Sequence, residues 1–219
     1  MELLVLGVTP PTDIDRRARE LQRALYAELG LADALALPVL LPLSLRAASG
    51  PLARPALSTG RLEAPRLVTA RFAIHGEWLL WTIQIPQAPK VLTALREAWG
   101  GSKTGLDTPG GPAASAADLL PLGAGIPLAV SASPGLLEAA AAALSAPPAA
   151  SNHVGETPRT FQPRCLAVYR LRPLGGPGQE PPLLVPTDPT ATMSRWGLVF
   201  GRGLYWEEIE HRPLRRQRP

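Results

Sequence analysis

The side chains of this 219-residue chain that could carry chemistry are few and scattered. Ser44 and Arg46 end an apolar run that contains Pro38 and Pro42. Ser131 and Ser133 follow a second apolar run, Gly125–Val130, and Arg164 precedes a third. Serine hydroxyls with arginine guanidinium groups are the equipment of anion binding, the guanidinium by a bidentate contact. The plainer role for the same residues is solvated strand ends, with Ser133 as a helix cap. His75 falls in an expected hairpin turn, His153 in a Pro/Ala loop and His211 near the C-terminus. None stands in a spacing that assembles three or four zinc ligands, so no metal and no cofactor is expected. Cys165 is the only cysteine and lies within an expected strand. A nucleophilic thiol needs an activating base and exposure, and a buried apolar role is the simpler reading.

Two further patterns fail on spacing. Gly100-Gly101-Ser102-Lys103-Thr104-Gly105 lacks the spacing of a phosphate loop and has no strand before it. Ser131-Ala132-Ser133-Pro134-Gly135 is not a nucleophile elbow. The five tryptophans read as packing rather than base-stacking platforms.

The elements that must position these residues follow from periodicity. Glu2–Val8 reads as a buried strand, ended by Pro10-Pro11, with Thr12 or Asp13 as a cap. Ile14, Ala18, Leu21, Leu25 and Leu29 form one face of a helix that stops at Gly30. Leu35–Arg46 reads as a strand, and Ala47–Arg61 as a loop. Arg66–Ile74 and Trp78–Ile85 predict a hairpin turning at His75-Gly76-Glu77. A second helix is expected over Ala88–Trp99, and Gly100–Gly111 is the best break between lobes. Ile126–Ala132 reads as a strand, and Ser133-Pro134 opens a helix to about Ser145. Pro147–Pro158 and Pro173–Thr192 read as loops around a strand at Phe161–Arg172, and Arg195–Trp206 as a last strand or hairpin. The expected class is α+β: duplicated strand–helix–strand lobes, about 1–100 and 112–208, with antiparallel sheets around a central cleft, then an Arg-rich tail, 209–219.

Bulk composition bounds the function. Hydrophobic residues make 46% of the chain and charged residues 18%, which describes a globular protein. The net charge of +4 resides in His211–Pro219, which holds Arg212, Arg215, Arg216 and Arg218 and no acid: removing this segment from the count of 22 basic residues leaves 18, equal to the 18 acidic ones. A neutral body exerts little long-range pull on nucleic acid, and the tail reads as a solvated, frayed terminus or a weak anion-binding arm. A lone cysteine and the lack of a leader-like or membrane-spanning run predict a cytoplasmic protein with no membrane partner.

The order of these elements resembles the 2H phosphoesterase family, the bacterial 2′-5′ RNA ligase or RNA 2′,3′-cyclic phosphodiesterase group. The likeness covers roughly Glu2 to Gly178. It rests on Pro10-Pro11 with the helix that follows, on Leu37–Arg46, on the hairpin Arg66–Ile85, on Gly125–Val130 before a helix, and on Arg164–Arg170. In that family two His-x-Thr/Ser motifs face each other across a cleft. One histidine is the general base and the other the general acid, and the hydroxyls hold the phosphate. At the matching positions this chain carries Leu40 and Pro42, then Pro127 and Ala129, none of which titrates or bonds through its side chain. The resemblance thus implies the fold without the reaction: a catalytically inactive binding module for a nucleotide, an RNA end or a protein. An active phosphodiesterase would have to use a non-standard site drawn from Ser44, Arg46, Ser131, His75 and Arg164. A structural protein that docks on another chain is the third reading. A polar cleft would favour a ligand site, whereas a cleft filled by Leu40, Pro42, Pro127 and their neighbours would favour a scaffold.

Overall fold

Strand β1, Leu3–Thr9, is apolar along its whole length and buried in six of its seven residues, so it sits at the centre of the molecule. The computed structural model describes residues 3–47, 62–86, 95, 120–145, 158–173 and 204–216. Helix α1, Thr12–Leu29, starts with Thr12 already helical. Pro11, extended at φ −66° and ψ 163°, takes the cap position without a side-chain bond, so neither Thr12 nor Asp13 is the cap. Asp13 and Asp15 in the first turn favour the helix dipole. Gly30 closes the helix at φ +68°, where a left-handed residue lets its N–H reach the Tyr26 carbonyl at 2.9 Å. The buried face is the expected Ile14, Ala18, Leu21 and Leu25, with Gln22 added.

The expected strand at Leu35–Arg46 is shorter than its apolar run. Asp33–Ala36 makes a single helical turn, α2, and strand β2 occupies only Leu41–Ala47. Leu37, the residue before Pro38, is held extended at φ −77° and ψ 130°, as a residue preceding proline must be. Leu40 therefore lies just ahead of the strand. Strands β3, Leu67–His75, and β4, Trp78–Gln84, form the expected hairpin, and Gly76 supplies φ +60° at its first turn position. Strand β5, Gly125–Val130, leads through Ser131–Ser133 to helix α3, Pro134–Ser145, which starts at the proline as expected.

Phe161–Arg172 is two strands, not one. Strand β6, Thr160–Phe161, pairs with β3, whereas β7, Cys165–Pro173, pairs with β1. Pro163 separates them, since a residue without an N–H interrupts a ladder. Strand β8, Leu204–Pro213, pairs with β7 along its length. The expected loops at 48–61 and 174–192, the helix at 88–99 (apart from Leu95), the 100–111 break and the 147–157 loop lie outside the described residues.

Two antiparallel four-stranded sheets result, in the orders β2-β1-β7-β8 and β5-β4-β3-β6. With the helices they make an α+β protein. The division expected at 100–111 is not the division between the sheets. The first sheet joins the N-terminal strands to the C-terminal ones, and the second is built from the middle of the chain. The two strand–helix–strand units are also wired differently. Across α1, β1 and β2 are sheet neighbours, whereas across α3, β5 and β6 stand at opposite edges of one sheet.

The C-terminal segment is not a frayed tail through Arg216. Leu214 is buried, and its N–H bonds the Arg164 carbonyl at 2.8 Å. Arg215 donates its N–H to the Leu62 carbonyl at 2.9 Å and accepts from the Ala64 N–H at 2.9 Å. This strap ties the end of the first sheet to the chain entering the second.

Two apolar clusters fill the interior. The larger packs α1 and α3 against both sheets. The smaller joins Leu3, Val5, Leu45 and Leu171 of the first sheet to Trp78, Leu80 and Val130 of the second, with Leu40 among them.

Candidate functional site

Strands β2 and β5, expected to be central, are the edge strands of separate sheets, and those two edges meet. The Gly123 N–H bonds the Pro42 carbonyl at 2.7 Å. From α1 the buried Gln22 amide donates to the Leu37 and Pro127 carbonyls, each at 3.3 Å. A carboxamide carries two N–H donors, so one side chain satisfies a carbonyl on each side of the seam.

The seam is apolar at all four of the positions compared above with the His-x-Thr/Ser motifs. Leu40 is 1% exposed and Ala129 fully buried, and Pro42 and Pro127 are also buried. Leu40 packs with Leu80, whose partner across the ladder is Pro127. Behind it, a Cβ added to Gly7 would meet the Leu40 side chain and lie 2.8 Å from the Leu41 carbonyl oxygen.

Both strands are irregular at this place. Register slips between Leu6 and Gly7, so Pro42 pairs with Gly7 but Ser44 pairs with Leu6. It slips again between Leu79 and Leu80, so Pro127 pairs with Leu80 but Ala129 with Leu79. Directly opposed residues share a sheet face, and each bulge reverses the alternation. Ser44 therefore does not continue the face of Pro42, and Ala129 does not share that of Pro127. The expectation that residues two apart line one cleft wall fails for this reason.

Of the remaining candidates, His75 and Ser131 lie at the same end of the second sheet, through the pairing of Trp78 with both His75 and Val130, whereas Arg164 lies elsewhere. Arg46 pairs with Leu4, at the far end of β1 from Thr9. Ser131 turns its hydroxyl inward on the chain, accepting the Ser133 N–H at 3.1 Å, and its own N–H bonds the Glu77 carbonyl at 2.9 Å. Ser133 is exposed, and its carbonyl receives the first helical bond of α3 from Leu137 at 3.2 Å. His75 is exposed at the hairpin end of β3. The nine residues of β3 put it about 26 Å from Leu67, next to Arg66, at that strand's other end. Arg164 lies at that other end, beside α1, where its guanidinium donates to the Thr12 hydroxyl at 3.2 Å. Arg164 thus stands apart from His75, so the five residues of the non-standard phosphodiesterase site do not form one group. Cys165, expected to be buried, is half-buried and free.

An open concavity of about 340 Å³ lies on the Arg164 side of the molecule. Pro11 and Asp13 enter it from the start of α1, Arg66 from the start of β3, Thr160 to Gln162 from β6 and its exit, and Arg216 from the strap. Arg66 and Arg216 are exposed and have no ion-pair partner among the described residues. The Thr160 segment is held by paired bonds between Arg159 and the buried Thr69. The Thr69 N–H bonds the Arg159 carbonyl at 2.9 Å, and the Thr69 hydroxyl accepts the Arg159 N–H at 2.9 Å. No local motif announces this group, because its members come from four separate stretches of chain.

On the first sheet, Tyr169 donates to Glu208 at 2.8 Å, and the same carboxylate meets His211 Nδ1 at 2.9 Å. Burial, and then the Glu208 carboxylate, pushes the Tyr169 phenol well above its ordinary value. It is a hydrogen-bond donor, not a nucleophile. Among the described residues no three His, Cys, Asp or Glu side chains are grouped to hold a metal ion. No helix among them is long and apolar enough to cross a membrane. The chain matches no protein-family model and no curated protein.

Proposed function

We propose that this chain is a non-hydrolytic binding module on a 2H phosphoesterase-like plan. The observation that carries the proposal is the closed apolar seam at Leu40, Pro42, Pro127 and Ala129. Proton transfer to and from a phosphodiester needs two groups that titrate near neutrality within reach of one substrate. The seam supplies aliphatic side chains and two carbonyls already bonded to Gln22 and Gly123. The kinship itself rests on the order of strands and helices along the chain, since the two motif-like strands lie at sheet edges and not at the sheet centres the family plan implies. A filled seam supports the loss of the reaction and favours a scaffold there over a ligand cleft. Whatever the module binds is then held outside the seam and left unchanged, and a protein partner is the reading the filled seam favours over a nucleotide or RNA end.

The test is a turnover assay of the purified full chain on nucleoside 2′,3′-cyclic phosphates and 2′-5′-linked dinucleotides. The proposal expects no turnover above buffer. Robust turnover that disappears in Ser131→Ala or Arg46→Gln would overturn it.

A further inference from the structure

We infer that the concavity between the start of α1 and the C-terminal strap is a binding site for a small phosphomonoester. Arg66 and Arg216 come from opposite ends of the sequence and converge there, and neither has an ion-pair partner among the described residues. A guanidinium presents a planar fork of donors that fits two phosphate oxygens at once. The 18-residue helix α1 begins at the same place, with no side chain capping its first turn. Its leading N–H groups and positive dipole end add to the field of the two arginines. Thr160 and Gln162 supply neutral polar groups beside them.

Charge and size narrow the ligand. Two guanidiniums against the single carboxylate of Asp13 leave the lining with a modest positive excess, suited to one phosphate and not to a polyphosphate chain. Asp13 repels further negative charge but accepts a hydroxyl next to the phosphate. The volume, about 340 Å³, is at the lower end of small-molecule sites of roughly 300–1,000 Å³ and exceeds what one phosphate fills. Phe161 offers an apolar wall for the remainder of such a ligand. The site also depends on the strap: the Arg215 backbone bonds to Leu62 and Ala64 are what carry Arg216 to the rim. This inference does not rest on kinship with any family.

Calorimetric titration of the full chain with adenosine 5′-monophosphate, and separately with inorganic phosphate, at fixed ionic strength tests it. One saturable site is expected. Arg66→Gln and Arg216→Gln should each weaken binding by about tenfold or more, the loss expected for a charge-assisted contact. Arg23→Gln, the same charge change on the exposed face of α1, should leave binding unchanged. Tighter binding of the nucleotide than of phosphate supports the inference, and equal or tighter binding of phosphate, which would mark a site for the free anion, overturns it. Absence of saturable binding with either probe overturns it. So does an equal loss in all three variants, which would show attraction to net charge alone.

Discussion

Replacing Leu214 by alanine tests whether the C-terminal segment is structure or tail. The side chain is 7% exposed and belongs to the main apolar cluster, beyond the last strand. Truncating a buried leucine to alanine costs about 2–5 kcal/mol, according to how far the site collapses. Leu214 lies at the margin of the core, where neighbours and water can relax into the space, so about 2–3 kcal/mol is expected. For a chain of this size 1 kcal/mol shifts the melting temperature by about 2–4 °C, giving a fall of about 4–12 °C. Arg215→Ala, which keeps the same backbone bonds, should move stability by less than about 0.5 kcal/mol. Urea and thermal unfolding followed by circular dichroism give both values. A loss under about 0.5 kcal/mol for Leu214→Ala, equal to that of Arg215→Ala, would mean that the strap is not docked.

Three further outcomes follow from the interior. Gln22→Ala leaves the Leu37 and Pro127 carbonyls without their buried donor and should cost about 1–3 kcal/mol in urea unfolding. Gly7→Ala drives a methyl into the Leu41 carbonyl and the Leu40 side chain, and should cost about 1–3 kcal/mol by overpacking, read in the same assay. Tyr169 holds its proton more tightly folded than unfolded, because burial and the Glu208 carboxylate both disfavour the phenolate. Above its ordinary value near 10 the unfolded chain binds fewer protons, so stability present below that pH is lost as pH rises. Tyr169→Phe should flatten this alkaline loss in unfolding curves recorded from pH 8 to 11.

Local periodicity was legible and long-range pairing was not. The face of α1 follows from Ile14, Ala18, Leu21 and Leu25 because a helix of period 3.6 must bury one stripe. Gln22 on that face was invisible, since its reason is two carbonyls, one of them 105 residues away. The hairpin at Gly76 was legible because its turn chemistry is local. The bulges on β2 and β5 were not, and they reverse which side chains share a wall. Composition suggested a solvated tail. It missed that Leu214 is a single apolar residue among arginines, with a core to enter. The concavity of Arg66 and Arg216 exists only once β6 has crossed to the second sheet and the strap has docked, neither of which a local pattern encodes.

The closed seam is the claim on which the functional reading stands, and thiol labelling reaches it directly. In a Cys165→Ser background, Leu40→Cys and the exposed control Ser133→Cys are treated with an aromatic disulfide reagent, and release of the coloured thiolate is followed over time. Reaction at position 40 requires the seam to open at a cost of several kcal/mol, so labelling should be slower than at position 133 by about a thousandfold or more. Labelling of a folded Leu40→Cys protein within about tenfold of the control would reveal an open cleft where the structure places a packed core, and would contradict the account.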